Sequence, residues 1–359
     1  MEPLSAFSFR SPQTRVRGIN RLIQWKFPMA LPPEARGAQQ EKKILLLTPR
    51  GFCAGVVRAI DVVNIALDLF GPPIYVRKEI VHNRHVVDEL RAAGAIFVEE
   101  LSEVPEGARV IFSAHGVSPA VRAEARERKV KVIDATCPLV TKVHLEAVKF
   151  ARQHHTIILI GHRDHDEVIG TIGEAPESTF LVCNVEDVDQ LVVPDPRRVC
   201  YLTQTTLSLD ETQHIVARLR ERFPAIQGPP AQDICYATEN RQLAVKAVAP
   251  LCDLLLVVGS RNSSNSRRLV EVCQKAGVSA HLLDDASEVD ARWLDGVKTL
   301  AVTAGASAPE NLVERLIETL QQKHGFGEVE RVEVKEEDVR FSLPPELAQA
   351  GSRLTSITV

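Results

Sequence analysis

The sequence predicts an α/β protein made of three similar small domains whose sheets are mostly parallel. Short, nearly continuous apolar runs begin at Lys42, and such runs are typical of parallel strands covered on both faces. Helical patterns separate these runs over most of the chain, as in other α/β folds. A turn followed by a helix recurs at Cys53, Cys137 and Cys235, at intervals of about one small α/β domain. This repetition predicts three domains.

The predicted strands are rich in branched apolar residues and are bounded by turn residues. In chain order they read KILLLTP, PIYVR, AIFVE, RVIFSA, VKVIDA, TIILIG, TFLVC, RVCYLTQ, DLLLVVGS, AHLLD and TLAVTAG. The acidic stretch GEVERVEVKEEDVRF near the C-terminus reads as a terminal strand or arm.

Helices are predicted where apolar residues recur at every third or fourth position. One such stripe follows Cys53 and ends before Gly71 and Pro72, which stop a helix. Others follow Cys137 and Asn265. A last stripe near the C-terminus joins Leu312, Leu316 and Leu320.

The domain limits follow from these patterns. They are 1–41 for a disordered N-terminal extension, 42–137, 138–233 and 234–323 for the three α/β domains, and 324–359 for a C-terminal arm. Residues 42–52 can also pack with the third domain. The extension is rich in arginine and poor in acidic residues, so a transit peptide is one alternative. A true start at Met29 is another.

The composition excludes several classes of protein. Hydrophobic residues make up 45% and charged residues 25% of the 359 residues, which is ordinary for a globular protein. The net charge of −4 gives no sign of nucleic-acid binding, and no apolar run approaches the roughly 18 residues that span a bilayer. Seven cysteines without a C-x-x-C spacing favour a reducing compartment. We therefore expect a cytoplasmic protein with neither a nucleic-acid nor a membrane partner.

Three cysteines lie at predicted strand-to-helix junctions, where α/β proteins bind ligands. Pro138 suits the first position of a helix, so Cys137 should be an N-cap, where the helix dipole lowers a thiol pKa. Cys53 lies in the glycine-rich RGFCAG, and Cys235 shortly precedes a helix with Thr238 as a candidate cap. A single buried cysteine is as often a small packing residue as a ligand. Three at equivalent junctions favour a ligand set, for a catalytic zinc or an iron–sulfur cluster with one open iron.

Histidines and one glutamate lie at other strand ends. His82, His115 and His165 follow predicted strands, and cationic histidines suit a polyanion such as a diphosphate, although a lone histidine there is more often incidental. Glu167 follows His165 in the loop GHRDHDEVIGTIGE. A carboxyl near a metal centre and an anion has a raised pKa and can donate protons. The alternative is that the acidic residues of this loop are simply solvated.

Two glycine- and serine-rich turns open helices in the last third of the chain. VGSRNSSNS and TAGASAP offer backbone N–H groups, hydroxyls and amides, which can hold a phosphate without lysine. Plain capping is the alternative. Ser307 and Glu310 have the spacing of a capping box, which would engage the Ser307 hydroxyl locally. SRNSSNS has more polar groups than a cap requires, which favours anion binding.

Taken together, the junction segments resemble those of one family. The segments, in chain order, are PRGFCAGVVRAI, VHNRHVV, FSAHGVS, DATCPLVTKVH, TQTTLS, DICYATENRQ, GSRNSSNSRRL and TAGASAPE. On these segments, the chain resembles the 4-hydroxy-3-methylbut-2-enyl diphosphate reductase (IspH, LytB) family from about Lys43 to Leu347.

The resemblance implies a fold, a reaction and roles for individual residues. Three α/β domains would surround a central [4Fe-4S] cluster, with Cys53, Cys137 and Cys235 as ligands and the fourth iron open to the substrate hydroxyl. The enzyme would reduce (E)-4-hydroxy-3-methylbut-2-enyl diphosphate to isopentenyl and dimethylallyl diphosphate in the non-mevalonate (MEP) isoprenoid pathway. Glu167 would donate protons. The substrate pocket would be lined by His82, His115, His165, Thr205, Ser263, Ser264, Asn265 and Ser307.

The implied electron donor is ferredoxin or flavodoxin, because the sequence has no G-x-G-x-x-G signature of a nicotinamide or flavin site. The residues leave two other functions open. One is a hydro-lyase that uses the open iron only as a Lewis acid, and the other is an anion-binding module stabilised by a metal.

The chain departs from the family in the loop that carries Glu167. The family's loop reads GHxGHPEVxGT, whereas here Asp164 replaces glycine and Asp166 replaces proline. The added acid is expected to shift the pKa of Glu167 or to alter loop closure. Glu239 stands where a small hydroxyl residue is common in the family.

Overall fold

The computed structural model describes residues 42–348. The predicted extension of residues 1–41 and the end of the predicted C-terminal arm, residues 349–359, lie outside this range. In the described part, no helix combines the length and the apolar character that crossing a membrane requires.

The observed elements follow the predicted alternation. The strands are β1 (Lys42–Thr48), β2 (Ile74–Arg77), β3 (Ala95–Val98), β4 (Arg109–Phe112), β5 (Lys131–Asp134), β6 (Thr156–Ile160), β7 (Thr179–Val182), β8 (Val199–Thr203), β9 (Leu254–Val258), β10 (Ser279–Leu283), β11 (Thr299–Ala304) and β12 (Phe326–Glu333). The helices are α1 (Ala54–Phe70), α2 (Arg84–Ala92), α3 (Pro119–Glu127), α4 (Pro138–Arg152), α5 (Asp166–Glu174), α6 (Val185–Gln190), α7 (Leu209–Arg222), α8 (Tyr236–Val248), α9 (Ser264–Lys275) and α10 (Glu310–His324). Every segment predicted as a strand coincides with one of β1 to β11, and β12 lies in the acidic stretch near the C-terminus.

The strands form three separate sheets. Their orders are β10–β9–β11–β1–β12, β3–β2–β4–β5 and β7–β6–β8. Every paired strand between residues 42 and 348 is parallel to its neighbours. The predicted α/β class with mostly parallel sheets is therefore confirmed.

β1 lies inside the largest sheet rather than at its edge. Leu46 of β1 is opposite Val302 of β11 on one side and Arg331 of β12 on the other. The other strands of this sheet lie between residues 254 and 333. The first strand of the described chain is thus built into a sheet that is otherwise formed by its last third.

The continuous apolar runs of the sequence are strands buried on both faces. β9 reads LLLVV, and each of its residues is at most 1% exposed. Leu254 and Leu256 pack in the core cluster that includes α10, whereas Leu255 and Val257 pack in the cluster that includes α8 and α9. Successive side chains of a strand point to opposite faces, so helices cover both faces of this sheet. Each buried leucine contributes about 1.5–3 kcal/mol to stability.

Loops at the carboxyl ends of the strands carry the polar segments singled out in the sequence. The loop after β1 holds Cys53, the loop after β5 holds Cys137, and the loop after β8 holds Thr205. Gly51, in the first of these loops, has φ of 66°, a value that glycine adopts without steric cost. Parallel strands present these ends at one edge of each sheet, which is where ligands bind in α/β proteins.

Candidate functional site

Loops from all three sheets line one cavity of about 110 Å³. Every residue predicted for the site contributes to its wall: Cys53, His82, His115, Cys137, His165, Glu167, Thr205, Cys235, Ser263, Ser264, Asn265 and Ser307. Apolar side chains, among them Val56, Val81 and Val140, complete the wall. The fold thus brings together side chains that are far apart in the chain.

Each of the three cysteines is the N-cap of a helix. Cys53 precedes α1, Cys137 precedes α4 and Cys235 precedes α8. Pro138 is the first residue of α4, so the predicted N-cap position of Cys137 is confirmed. Thr238 does not cap α8; its N–H donates to the Cys235 sulfur at 3.4 Å. Three helix N-termini therefore present thiols to the same cavity.

A glycine in the first turn of α1 allows two of these thiols to approach. A Cβ atom on Gly55 would lie 2.7 Å from the Cys137 sulfur and 3.8 Å from the Cys53 sulfur. The first distance is well inside the contact distance of two non-bonded heavy atoms. Any larger residue at this position would push α1 and Cys137 apart.

Burial outweighs the helix N-termini in setting the pKa values of Cys137 and Cys235. Burial raises the pKa of Cys137 to about 12, although the backbone N–H groups of Leu139 and Val140 lower it. Burial likewise raises the pKa of Cys235 to about 11, and the nearby Cys53 adds to the rise. Without a bound cation, the predicted lowering of the Cys137 pKa is therefore wrong. A bound cation would have to displace their protons, as metals do at cysteine sites.

The spacing of the thiols fits a cluster better than a single ion. A tetrahedral zinc with Zn–S bonds of about 2.3 Å needs its sulfurs about 3.8 Å apart. Among residues 42–348, the one group of three potential metal ligands within 4.8 Å of one another is His82, His115 and Asp166, so at least one pair of the three sulfurs is more than 4.8 Å apart. An iron–sulfur cluster accepts this spacing, because each thiolate binds a different iron.

Three histidine rings form another side of the cavity. The His82 and His115 rings stack with centroids 4.1 Å apart, and the His165 ring meets them edge-on at 5.6 and 5.8 Å. Burial and the neighbouring histidines hold the pKa of His115 well below its usual range, and burial lowers the pKa of His165 to about 3. These two rings are therefore neutral at neutral pH until an anion compensates their charge. The predicted cationic state of these two rings thus requires a bound anion.

Glu167 is a buried carboxyl held at both of its oxygens. It lies in the first turn of α5 and is 3% exposed. Its Oε1 accepts a hydrogen bond from the Thr205 backbone N–H at 2.7 Å, and its Oε2 accepts one from the Thr205 hydroxyl at 2.9 Å. Burial raises the pKa of Glu167 to about 7, although both hydrogen bonds oppose the rise. The predicted rise in pKa is confirmed, and burial is its main cause.

The two additional acids of the loop do not cause this rise. The carboxylate that contributes to the raised pKa of Glu167 is Asp233, which is paired with the Lys142 ammonium at 2.9 Å. Asp164 is exposed and Asp166 is half-buried. The expected influence of Asp164 and Asp166 on the Glu167 pKa is therefore absent.

The SRNSSNS turn opens α9 as a buried polar surface. Ser263 is the N-cap of α9 and Ser264 its first residue. Asn265 donates to the Thr238 hydroxyl at 3.2 Å and accepts from the Ala306 N–H at 2.9 Å, so it joins α8, α9 and the loop after β11. Hydroxyl groups at a helix N-terminus suit an anionic ligand.

Ser307 does not cap the helix that follows it. The N-cap of α10 is Pro309, and no side chain caps this helix. The Ser307 hydroxyl instead donates to the His82 carbonyl at 2.9 Å. The predicted capping box of Ser307 and Glu310 is therefore wrong. The hydrogen bond joins the loop after β11 to the loop after β2.

Three residues near the cysteines or in the cavity wall had not been predicted. The Arg58 guanidinium is buried and donates, at 3.0 Å, to the carbonyls of the two residues before Cys137. The Tyr236 hydroxyl accepts from the N–H of the residue after Cys53 at 3.0 Å, and Phe341 reaches the cavity from the C-terminal segment. Two signals were available: Arg58 lies little more than a turn after Cys53 in the same helix, and Tyr236 directly follows Cys235.

Curated relatives match the chain over most of its length. Residues 44–321 match the family described as LytB protein. The chain is 59% identical over 308 residues to the 4-hydroxy-3-methylbut-2-enyl diphosphate reductase of Acidothermus cellulolyticus, covering 86% of this chain and 90% of that protein. It is 60% identical over 307 residues to 4-hydroxy-3-methylbut-2-enyl diphosphate reductase 1 of Mycobacterium bovis, covering 85% and 91%.

Solved structures of reductases with similar names also resemble this chain. The E-1-hydroxy-2-methyl-but-2-enyl-4-diphosphate reductase of Plasmodium falciparum superposes with a TM-score of 0.86 at 42% identity, covering 88% of this chain and 99% of that one. A second structure, of (E)-4-hydroxy-3-methyl-but-2-enyl diphosphate reductase, the terminal enzyme of the non-mevalonate pathway, has a TM-score of 0.57 at 30% identity and covers 78% of this chain. By its family match, its relatives and its fold, the chain belongs to the LytB protein family.

Proposed function

We propose that this chain is a 4-hydroxy-3-methylbut-2-enyl diphosphate reductase. The substrate's C4–O bond breaks, two electrons and two protons are taken up, and water leaves together with isopentenyl or dimethylallyl diphosphate. The proposal is supported by relatives of that name at 59% and 60% identity. The observation that carries it is the single cavity in which three thiols, a carboxyl with a pKa of about 7 and a set of polar anion-binding groups meet.

The proposed cofactor is a [4Fe-4S] cluster held by Cys53, Cys137 and Cys235. When bound, it would supply the electrons and an open iron as a Lewis acid for the substrate hydroxyl. Support comes from the positions of the thiols at three helix N-termini and from their spacing, since at least one pair of sulfurs is more than 4.8 Å apart and one zinc ion needs about 3.8 Å. Arg58 holds the backbone just before Cys137 and so fixes the direction of that thiol.

Glu167 is the proposed proton donor. With a pKa of about 7, a substantial fraction of its carboxyl carries a proton at neutral pH. Thr205 binds both carboxyl oxygens, which fixes the orientation of the acid inside the cavity. The Thr205 hydroxyl is also proposed to orient the substrate hydroxyl, so that the proton is delivered to the leaving oxygen.

The diphosphate is proposed to bind at the other end of the cavity. The groups proposed to contact it are His82, His115, His165, Ser263, Ser264, Asn265 and Ser307. Buried hydroxyls and the N-terminus of α9 favour an anion there. Because two of the histidines are neutral in the free protein, binding of a diphosphate is expected to be accompanied by proton uptake.

The proposed electron donor is ferredoxin or flavodoxin, in line with the lack of a nicotinamide or flavin signature in the sequence. A cytoplasmic location is proposed as well, and the free state of all seven cysteines is in keeping with a reducing compartment.

The proposed domains are residues 42–137, 138–233 and 234–323, and the three separate sheets give general support for them.

Turnover without oxygen tests the proposed reaction. The protein is purified anaerobically, reconstituted with iron and sulfide, examined by EPR and supplied with the hydroxylated diphosphate and a reduced viologen dye. We expect both isomeric diphosphates to form, with two electrons consumed for each substrate molecule. Substrate that stays intact would contradict the reductase and leave the anion-binding module. Conversion without net consumption of electrons would instead support the hydro-lyase.

A further inference from the structure

A second set of potential metal ligands lies on the histidine side of the cavity. A ring nitrogen of His82, a ring nitrogen of His115 and a carboxylate oxygen of Asp166 all lie within 4.8 Å of one another. All three residues are half-buried. Two imidazoles and one carboxylate form a ligand set that zinc and other divalent first-row metals accept.

Both histidines have a hydrogen-bond partner at Nδ1. The His82 Nδ1 lies 3.0 Å from a carboxylate oxygen of Glu79, and that oxygen also accepts from the Asn262 amide at 2.7 Å. The His115 Nδ1 lies 3.3 Å from the Ser113 hydroxyl. In the tautomer in which Nδ1–H is the donor to these partners, Nε2 has a free lone pair for a metal. A carboxylate behind the imidazole is the usual arrangement around metal-bound histidine.

His165 has the opposite hydrogen-bonding pattern. Its Nδ1 accepts a hydrogen bond from the Glu167 backbone N–H at 3.2 Å. In a neutral imidazole the proton then resides on Nε2, which can donate a hydrogen bond but cannot bind a metal. The third histidine of the cavity is therefore suited to an anion, whereas His82 and His115 are suited to either an anion or a cation.

Asp166 completes the set at a position where the family's loop carries proline. A carboxylate beside a proposed diphosphate site is unfavourable for the anion and favourable for a cation. Lys78 lies within electrostatic range of Asp166, but its ammonium is paired with Glu99. Within 4.8 Å of an Asp166 carboxylate oxygen lie ring nitrogens of the two imidazoles.

We propose that His82, His115 and Asp166 bind one divalent transition-metal ion, with zinc as the probe, when the substrate is absent. Zinc bonds of about 2.0–2.2 Å require ligand atoms about 3.3 Å apart, so the three groups need to close by no more than roughly 1.5 Å. The stacked rings also have to open away from each other.

In one respect the inference rests on the proposed function, because the same two histidines are proposed to bind the diphosphate. An Nε2 lone pair shared with zinc cannot carry a proton for a phosphate oxygen, so zinc and substrate compete.

Metal uptake by the cluster-loaded protein tests the site directly. The protein is dialysed to equilibrium against zinc without oxygen, and zinc and iron are counted per chain. We expect one zinc per chain with the iron content unchanged. Asp166→Asn should weaken zinc binding at least about tenfold, since even outer partners of metal ligands contribute that much. Asp166→Pro, at a helix position that suits proline, should do the same.

The matched control is Asp164→Asn, which removes an exposed carboxylate two residues earlier and should bind zinc as the unaltered protein does. Three outcomes would overturn the proposal. They are no zinc uptake, equal uptake by the Asp166 and Asp164 variants, and zinc uptake matched by loss of iron, since the zinc would then occupy the cysteines.

Inhibition kinetics test the competition separately. Zinc should raise the apparent KM for the diphosphate, and Asp166→Asn should be at least about tenfold less sensitive than Asp164→Asn. Chelation of zinc by the diphosphate affects both variants equally and cancels in the comparison. Equal sensitivity would disprove the competition. A chain that shows no turnover in any form would refute the proposed function, whereas the dialysis result would stand by itself.

Discussion

At Glu167, burial and hydrogen bonding act on one carboxyl in opposite directions. Burial favours the neutral acid, whereas the two hydrogen bonds from Thr205 favour the carboxylate. Burial prevails and leaves the pKa at about 7. A donor must carry its proton before the reaction, so the active fraction is high below this pKa and falls as the pH rises through it.

Replacing Glu167 by glutamine tests this role. Removal of the acid should lower turnover by about 10²–10⁴-fold, the usual contribution of a positioned proton donor. The unaltered enzyme should lose kcat as the pH rises above about 7, and the residual rate of Glu167→Gln should lack that decline. The measurement is kcat as a function of pH with the reduced dye as donor. Glu177→Gln makes the same change at an exposed position and should behave as the unaltered enzyme. Unchanged turnover of the Glu167 variant would refute the donor role.

At this scale the sequence predicts which residues meet and that the pKa of Glu167 is raised, but not the ionisation of the cysteines. Cys137 could be located from Pro138, and the histidines from the strand ends that precede them. The rise in the Cys137 pKa and the bond from Ser307 to the His82 carbonyl depend on packing between distant segments. A local pattern carries no information about such packing, so both predictions made from local spacing failed.

Among the elements, the contact between α1 and the N-terminus of α4 determines where two thiols lie. Gly55 is in the first turn of α1, and the Cys137 sulfur occupies the space that a side chain would fill. Alanine at this position would favour the helix itself by about 1 kcal/mol. Any loss caused by that substitution therefore reports on the helix contact and not on helix formation.

We expect Gly55→Ala to lower the iron and sulfide content of the reconstituted protein. The new methyl group would lie 2.7 Å from the Cys137 sulfur, so that thiol has to move from its place beside Cys53. The check is iron and sulfide per chain after anaerobic reconstitution. Gly327→Ala is the matched control, because its methyl group would meet only the Lys42 carbonyl at 3.7 Å. A full complement of iron in Gly55→Ala would show that the contact does not position the thiol.

Individual elements were the most predictable level of the structure. Strands such as β9 are short apolar runs with helices on both faces, and their pattern appears directly in the sequence. The end of α1 at Gly71 was also predicted from the sequence, because Gly71 and Pro72 stop a helix. The close approach at Gly55 was not predicted, because a glycine beside a cysteine also suits an ordinary loop.

For the whole molecule, a fully buried arginine joins the site to the C-terminal segment. Arg241 of α8 donates to the Gly51 carbonyl at 2.7 Å and to the Glu337 carboxylate at 3.0 Å. Gly51 lies two residues before Cys53, and the segment that contains Glu337 carries Phe341 into the cavity. The Arg241 guanidinium thus holds both the loop that leads to Cys53 and the C-terminal segment that carries Phe341.

Removal of the carboxylate from this pair should destabilise the protein strongly. Glu337→Ala would leave a buried, unpaired guanidinium, which costs about 3–5 kcal/mol. The effect should appear as a lower midpoint of urea unfolding, measured without oxygen. Glu336→Ala removes an exposed neighbouring carboxylate and should change stability by no more than about 0.5 kcal/mol. Equal midpoints for the two variants would show that the Arg241 pair contributes little.

The overall arrangement was predictable only in part. Three repeated units and parallel strands follow from the alternation of patterns along the chain. The sequence allows residues 42–52 to pack with the third domain, but no local pattern in β1, β11 or β12 identifies the strands that pair.

The position of β1 also affects how the protein can be made. β1 leaves the ribosome early, but its place is between β11 and β12, which ends at Glu333. Pairing over such a distance is slow, and until it happens an apolar strand has no neighbours. Cys53 follows that strand, so its thiol reaches the other two only when nearly the whole chain has been synthesised. A nascent or C-terminally shortened chain would therefore offer iron an incomplete set of ligands. Assembly of the metal centre is thus expected only after synthesis of nearly the whole chain.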